Sequence, residues 1–418
     1  MRISFLIATI FVATVLAADE EVLPPLQGMQ SLHVSYKTPE EFSLLKNFVD
    51  TPGFDFMKST SDFVDVMVTA DKVEAFKTLL EENHMNYTIM IEDVHEAVTE
   101  ERITQEVERR LRMRSRATSG KFPFTYYPNY KEVTDYLEYI ANTHNDIATV
   151  YTIGHTYEGR PMKLLKLSTG EKKRAIFIDG GIHAREWIAP VTALYFIDQI
   201  VENNEELLRL TDWYILPVLN PDGYEFTHSR ISNRLWRKTR SDIGSACKGV
   251  DGNRNYDIAW MTIGASSNPC SDTYAGPKAF SELETTYMSK FILDRKQQIK
   301  AYITLHSYGQ YILYPWGYTT ELPRNVMQLK RLATKCADAI AEYRGTRYIF
   351  GTSSNALYPS AGGGDDWAMA KAGINMSFTY ELPGGDSGFL LPVSEIKPVG
   401  IETFEAMKVI HKHVVLET

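Results

Sequence analysis

Three stretches of the chain carry different hydrophobic rhythms. From Ile3 to Leu16 the sequence is almost unbroken apolar, preceded by Met1-Arg2 and followed by Ala17-Ala18-Asp19-Glu20-Glu21. A positive start, a short apolar core and a small-residue exit predict a secretory signal peptide over residues 1–17, cut after Ala17 or Ala18. The run is shorter than the roughly 20 residues that span a bilayer. No later window is apolar enough to do so, and the expectation is a secreted, extracellular product with no membrane anchor.

The second stretch, from about residue 30 to 92, alternates between periods of two and of three to four. Leu32-His33-Val34-Ser35-Tyr36 reads as a strand and Glu40 to Val49 as a helix. Strand-like runs follow around Phe54-Phe56 and from Phe63 to Val68, then a helix over Asp71 to Leu80 and a strand over Tyr87-Thr88-Ile89-Met90-Ile91. The order strand-helix-strand-strand-helix-strand predicts a small α+β open sandwich with its helices on one sheet face. Glu96 to Arg112 is charged and helix-competent, and it runs into Arg109-Arg110-Leu111-Arg112-Met113-Arg114-Ser115-Arg116. In an exported protein such a run between two domains reads as a set of cleavage points for a trypsin-like protease. The final cut is expected near Arg116, dividing the chain into 18–116 and 117–418.

From Tyr126 onward, strand-like apolar runs (Lys163-Leu167, Ala175-Asp179, Trp213-Val218, Ala301-His306, Met376-Leu382) alternate with helical ones (Tyr130-Asn142, Trp187-Asn203, Phe280-Arg295, Met327-Arg344, Val393-Val415). That rhythm predicts an α/β domain: a mixed, largely parallel central sheet with helices on both faces. In open sheets of this kind ligands sit beyond the carboxyl ends of the strands.

Composition narrows the function classes. With 418 residues, 44% hydrophobic and 23% charged, the chain is globular and long enough for two or three units. A net charge of -9 leaves no basic surplus for phosphates and argues against nucleic acid as a partner. Of three cysteines, Cys247 and Cys270 lie in polar loop sequence and are the natural disulfide pair of an oxidising compartment. Cys336 sits in a helical pattern and reads as a small buried apolar residue.

The candidate chemistry gathers at strand ends. Ala175-Ile176-Phe177-Ile178-Asp179 runs into Gly180-Gly181-Ile182-His183-Ala184-Arg185-Glu186-Trp187, where His183 and Glu186 are one helical turn apart. A second histidine, His306, ends the run Ile303-Thr304-Leu305. Two imidazoles and a carboxylate leave one coordination position open, the pattern of a catalytic rather than a structural zinc.

Around these lie Asn220-Pro221-Asp222-Gly223-Tyr224, Asn233-Arg234-Leu235-Trp236-Arg237-Lys238, Gly249-Val250-Asp251-Gly252-Asn253-Arg254-Asn255, Thr304-Leu305-His306-Ser307-Tyr308 and Phe378-Thr379-Tyr380-Glu381-Leu382. With the His183 motif, these six, in this order, resemble the pancreatic-type zinc metallocarboxypeptidases from about Phe124 to the C-terminus. Residues 20–116 resemble their activation segment, and the chain thus resembles a B-like procarboxypeptidase.

The resemblance implies one Zn2+ held by His183, Glu186 and His306, Glu381 as general base and Arg237 polarising the scissile carbonyl. It implies that Asn253, Arg254 and Tyr358 grip the substrate's terminal carboxylate, and that Arg185, Ser307 and Tyr308 act further along the peptide with Phe389 beside them. Asp251 would accept the N–H of a ligand histidine. Asp365, seven positions after Tyr358, maps to the base of the side-chain pocket and Ser353 to its wall; aspartate there implies a preference for C-terminal Lys or Arg. The implied partners are peptides with a free C-terminus and an activating trypsin-like protease, and the implied state is a monomer whose front domain blocks the cleft until cleavage. The alternatives are an enzyme for aromatic or aliphatic C-termini, and an inactive peptide-binding relative. No zinc-ligand position and no general-base position is lost, which argues against the latter.

Overall fold

The computed structural model describes residues 25–114, 122–170, 172–203 and 205–416. The expected signal peptide and the expected cut at Arg116 lie outside the described residues.

The front unit has the order read from its sequence: β1 (Gln30–Ser35), α1 (Pro39–Lys46), β2 (Phe54–Ser59), β3 (Phe63–Val68), α2 (Val73–Glu82) and β4 (Tyr87–Ile91). Its strands pair in the order β2-β3-β1-β4. Thr38 starts α1 with a reciprocal capping box to Glu41, and Pro39 fits the first helical position. One sheet face, including Leu32, Val34, Val64 and Val66, packs under Phe76 and Leu80 of α2. Because side chains alternate across a strand, Asp55, Met57, Asp65 and Met67 fall on the other face. Met67 and Met57 meet Leu390 of the second unit there, so the sheet has an apolar helix side and an inner side that mixes apolar contacts with the two carboxylates. The long helix α3 (Val94–Arg114) follows, its first N–H groups at His95 and Glu96 capped by Asp93.

The second unit contains α4 (Tyr130–Thr143), β5 (Ala148–His155), β6 (Pro161–Leu167), β7 (Ala175–Gly180), α5 (Ile188–Asn203), α6 (Glu205–Leu210), β8 (Asp212–Leu216) and α7 (Pro221–Ser229). It continues with α8 (Leu283–Leu293), β9 (Ile299–Ser307), β10 (Tyr311–Tyr314), α9 (Val326–Arg344), β11 (Ile349–Thr352), α10 (Ser353–Ala356), α11 (Gly364–Ala370), β12 (Met376–Leu382) and α12 (Ile396–Leu416).

Eight strands form one sheet in the order β11-β10-β12-β9-β7-β8-β6-β5. The pairs β11/β10, β12/β9, β9/β7 and β7/β8 are parallel, and β10/β12, β8/β6 and β6/β5 antiparallel. The α/β expectation therefore holds. The central strand β7 shows why the sequence reads as a continuous apolar run. Ile176 and Ile178 enter the core under α5 and α12, while Ala175 and Phe177 enter the opposite core with Met288 and Phe291 of α8.

Three strands escaped the sequence reading: β5, β10 and β11. β5 is a half-exposed edge, and β10 and β11 are four residues each, shaped by pairing rather than by a local pattern. Cys247 and Cys270 are disulfide-bonded, and Cys336 is buried on α9. Among the described residues no helix is long and apolar enough to cross a membrane.

Candidate active site

Three parallel central strands deliver the reactive side chains to one edge of the sheet. β7 ends in Gly180-Gly181; Gly181 takes a positive φ of 64°, turning the chain so that His183 and Glu186 stand above the strand ends before α5 begins. β9 carries His306 near its end, and β12 carries Glu381, paired in register with His306. The crevice beyond the carboxyl ends is where such sheets bind ligands.

His183 Nδ1 lies 2.7 Å from Glu186 Oε1, and His306 Nδ1 lies 3.2 Å from His183 Nδ1 and 3.1 Å from Glu186 Oε2. All three residues are buried. His183 Nε2 faces Asp251 Oδ1 at 3.0 Å, which places the ring proton on Nε2 and leaves the Nδ1 lone pair pointing at the other two ligands. Lone pairs and a carboxylate converging away from water fit a divalent cation, and a nitrogen-nitrogen-oxygen donor set fits zinc. Burial raises the proton affinity of Glu186, but His183 and His306 outweigh it and hold the carboxyl well below its ordinary range. The cluster is a single zinc-binding site.

Asp251 has a second task that the sequence did not disclose. Its other oxygen accepts from Arg237 Nε at 3.2 Å and Nη2 at 2.9 Å, so one carboxylate orients both a metal ligand and a guanidinium. Arg237 Nη1 lies 4.0 Å from Glu186 Oε1, beside the metal position. Burial pushes the Glu381 carboxyl up to about 7, with Glu186 adding to the rise and His306, Lys58 and Arg237 opposing it.

One cavity is lined by His183, Glu186, Arg237, Arg254, Asp365 and Glu381 together. Asn253, Ser307, Tyr308 and Tyr358 border the same space. Arg254 is held by the carbonyls of Gly264 (2.7 Å) and Asn253 (2.9 Å) and faces the Tyr358 hydroxyl at 3.5 Å. Asp365 receives only neutral donors: Thr379 Oγ1 at 3.1 Å, Ser353 Oγ at 3.3 Å and the Asp366 N–H at 2.9 Å. No ion pair to it occurs among the described residues. Asp366 instead accepts the N–H groups of Gly317 and Tyr318, a structural role.

The front unit meets the cleft with carboxylates, and these contacts were not read from the sequence. Asp55 on β2 takes Arg185 Nη1 at 2.6 Å, with Asp272 also within 3.3 Å of that nitrogen. Asp65 on β3 accepts from the Tyr308 hydroxyl at 2.8 Å. Lys58 lines the cavity beside Glu381. On α3, Glu101 pairs with the buried Arg234. The signal available was strand alternation: Asp65 between Val64 and Val66 marks a polar group on a face that is nevertheless buried.

Comparison with known proteins agrees with this geometry. The family profile described as "Zinc carboxypeptidase" matches residues 133–406, and that described as "Carboxypeptidase activation peptide" matches residues 32–101. A curated "Carboxypeptidase B" of Astacus astacus is 47% identical over 294 residues, covering 69% of this chain and 96% of the relative. "Carboxypeptidase B" of Rattus norvegicus is 38% identical over 425 residues, covering 98% of both chains. The crystal structure of carboxypeptidase A from Helicoverpa armigera superposes with a TM-score of 0.86 at 31% identity, covering 94% of this chain and 98% of that one. The chain therefore belongs to the zinc carboxypeptidase family: it is a zinc-dependent hydrolase that carries the family's activation segment in front of its catalytic domain.

Proposed function

We propose that this protein is a secreted zymogen whose mature form removes single Lys or Arg residues from peptide C-termini. The observation that carries the specificity is Asp365: a carboxylate buried in the wall of the catalytic cavity, surrounded by neutral donors. A buried charge without a counter-ion is costly, and the side chain of a basic substrate residue supplies one. The curated B-type relatives named above accord with this reading.

The division of labour follows from the positions. Arg254, with Asn253 and Tyr358, receives the terminal carboxylate; a fixed guanidinium fork suits a bidentate partner and makes a free C-terminus a requirement. Arg237, aligned by Asp251, donates to the scissile carbonyl oxygen as negative charge develops on it. Glu381 accepts a proton from the attacking water and returns it to the departing amine. Zinc, when bound by His183, Glu186 and His306, supplies Lewis acidity and makes that water acidic enough to react near neutral pH.

The precursor is silent because Asp55 and Asp65 occupy Arg185 and Tyr308, groups that otherwise meet the peptide upstream of the cut, with Ser307 beside them. Residues 1–17 direct export, a trypsin-like protease cuts near Arg116, and residues 117–418 act as a monomer. The deciding experiment replaces Asp365 with Ile in the activated enzyme and compares peptides identical except for a terminal Arg or Phe. The variant should lose about 100-fold in kcat/KM on the Arg peptide, about 2.7 kcal/mol of transition-state stabilisation. Retention of the preference for basic termini would reject the assignment.

A further inference from the structure

The chain contains two Asn-X-Ser/Thr triplets without proline in the middle, Asn86-Tyr87-Thr88 and Asn375-Met376-Ser377. On the surface of an exported protein such a triplet is an acceptor for N-linked sugar. The fold treats the two in opposite ways. Asn375 leads into β12, the strand that brings Thr379 and Glu381 to the catalytic cavity. Ser377 is 0% exposed, and its hydroxyl donates to the Asp365 carbonyl at 2.8 Å. The Asn375 carbonyl accepts from Asn325 Nδ2 at 2.9 Å. This triplet is built into the layer behind the pocket, and folding withdraws it.

Asn86 stands at the entry to β4, an outer strand of the front sheet. Just before it His84 takes a φ of 56° as α2 ends, and Met85 packs into the front core. The Asn86 carbonyl accepts the Ser35 N–H at 2.9 Å, which pins its backbone to β1. Asn86 and Thr88 are both exposed, and neither side chain makes a hydrogen bond among the described residues. Residues two apart on a strand share a face, so the amide and the hydroxyl stand on one side. The strand itself is in want of cover. Tyr87-Thr88-Ile89-Met90-Ile91 carries no charge, Ile89 is 40% exposed, and among the described residues no strand pairs with its outer edge. An uncharged open edge is a template for another chain. A bulky, hydrophilic oligosaccharide one residue ahead of it obstructs that approach.

We propose that Asn86 carries an N-linked oligosaccharide in the precursor, while Asn375 stays bare. The co-reactant is an oligosaccharide carried on a lipid diphosphate. The Asn86 amide nitrogen bonds to the anomeric carbon of the sugar. The bond from that carbon to the diphosphate oxygen breaks, its electron pair leaves with the lipid diphosphate, and the nitrogen gives up one proton. The proposal rests on the export part of the function proposed above. It adds that all the sugar belongs to the part that activation removes.

The full chain is expressed in a eukaryotic secretory cell line, collected from the medium and cut in the Arg-rich segment, and both fragments are weighed. The front fragment should exceed its sequence mass by an oligosaccharide, and the catalytic fragment should match its own. An amidase that releases N-linked sugar, used in isotopically heavy water, should leave a marked aspartate at position 86. Asn86→Gln and Thr88→Ala should each abolish the added mass, Thr88→Ser should retain it, and Asn375→Gln should change nothing. Gel mobility in whole-cell extracts reads the sugar even in a variant that misfolds and is retained. A parallel chain carries a proven export leader in place of residues 1–17. Sugar on that chain but not on the native one would reject residues 1–17 as the leader and uphold the site. A front fragment of bare sequence mass with the proven leader, or sugar found on Asn375 instead, would overturn the proposal.

Discussion

The two ends of the catalytic cavity are built on opposite electrostatic plans. At the metal end charged groups are paired within the protein: Asp251 joins His183 to Arg237, and Glu186 faces both imidazoles. At the pocket end Asp365 is ringed by Ser353, Thr379 and a backbone N–H, all neutral. The first arrangement pairs its charges within the protein; the second, on the proposed function, is paired by the substrate. Chemistry is thus preset by the fold, and the proposed function leaves selectivity to the charge of the incoming side chain.

The largest effect should come from breaking the preset end. Glu381→Gln keeps the shape but removes the proton acceptor, and kcat should fall by about 1,000-fold or more with KM little changed. Steady-state kinetics on one Arg-ended peptide, together with a zinc assay showing one ion per chain, checks this; a loss of zinc in the variant would instead make Glu381 a structural group. The pocket end is gentler. Thr379→Val removes one of the neutral donors to Asp365 and should raise KM for Arg-ended peptides by about five- to thirtyfold at constant kcat, since an unmade hydrogen bond to a charge costs about 1–2 kcal/mol. No change in KM would show that Asp365 is oriented by its other donors alone.

A third buried acid sharpens the contrast. Glu284 on α8 is buried beside the acidic Glu282, and one of its oxygens has no partner. Burial, with Glu282 second, pushes its carboxyl up to about 8. The folded protein therefore keeps this proton above pH 4.5, where the unfolded chain releases it. The group's contribution to stability is full below about pH 4.5 and is lost as pH rises through about 8. Glu284→Gln, which is permanently neutral, should raise Tm at pH 8 more than at pH 5. An equal change at both values would show that the acid is not held protonated. Unlike Asp365, Glu284 does not line the cavity.

How much of this was legible differs by region for a physical reason. The βαββαβ order of the front unit and the central strands β7, β9 and β12 announced themselves, because alternation or continuous apolar runs are set by burial of each strand's own side chains. His183, Glu186 and His306 were readable because metal ligands must be particular residue types at strand ends. Asp55, Asp65 and Glu101 were not. Each sits in a locally ordinary amphipathic pattern, and its partner, Arg185, Tyr308 or Arg234, is 130 or more residues away in the sequence. β10 and β11 were missed likewise: Tyr311-Ile312-Leu313-Tyr314 becomes a strand by pairing with β12, not by any period of its own. Long-range polar pairing leaves little trace in a single sequence.

The central claim is that an uncompensated carboxylate at Asp365 selects the substrate while the metal end performs the chemistry. It is tested most directly by the ratio of kcat/KM for two peptides, identical but for a terminal Arg or Phe, on the activated zinc-loaded enzyme. The account predicts that Arg wins by about 100-fold or more; a ratio near one, or in favour of Phe, would contradict it.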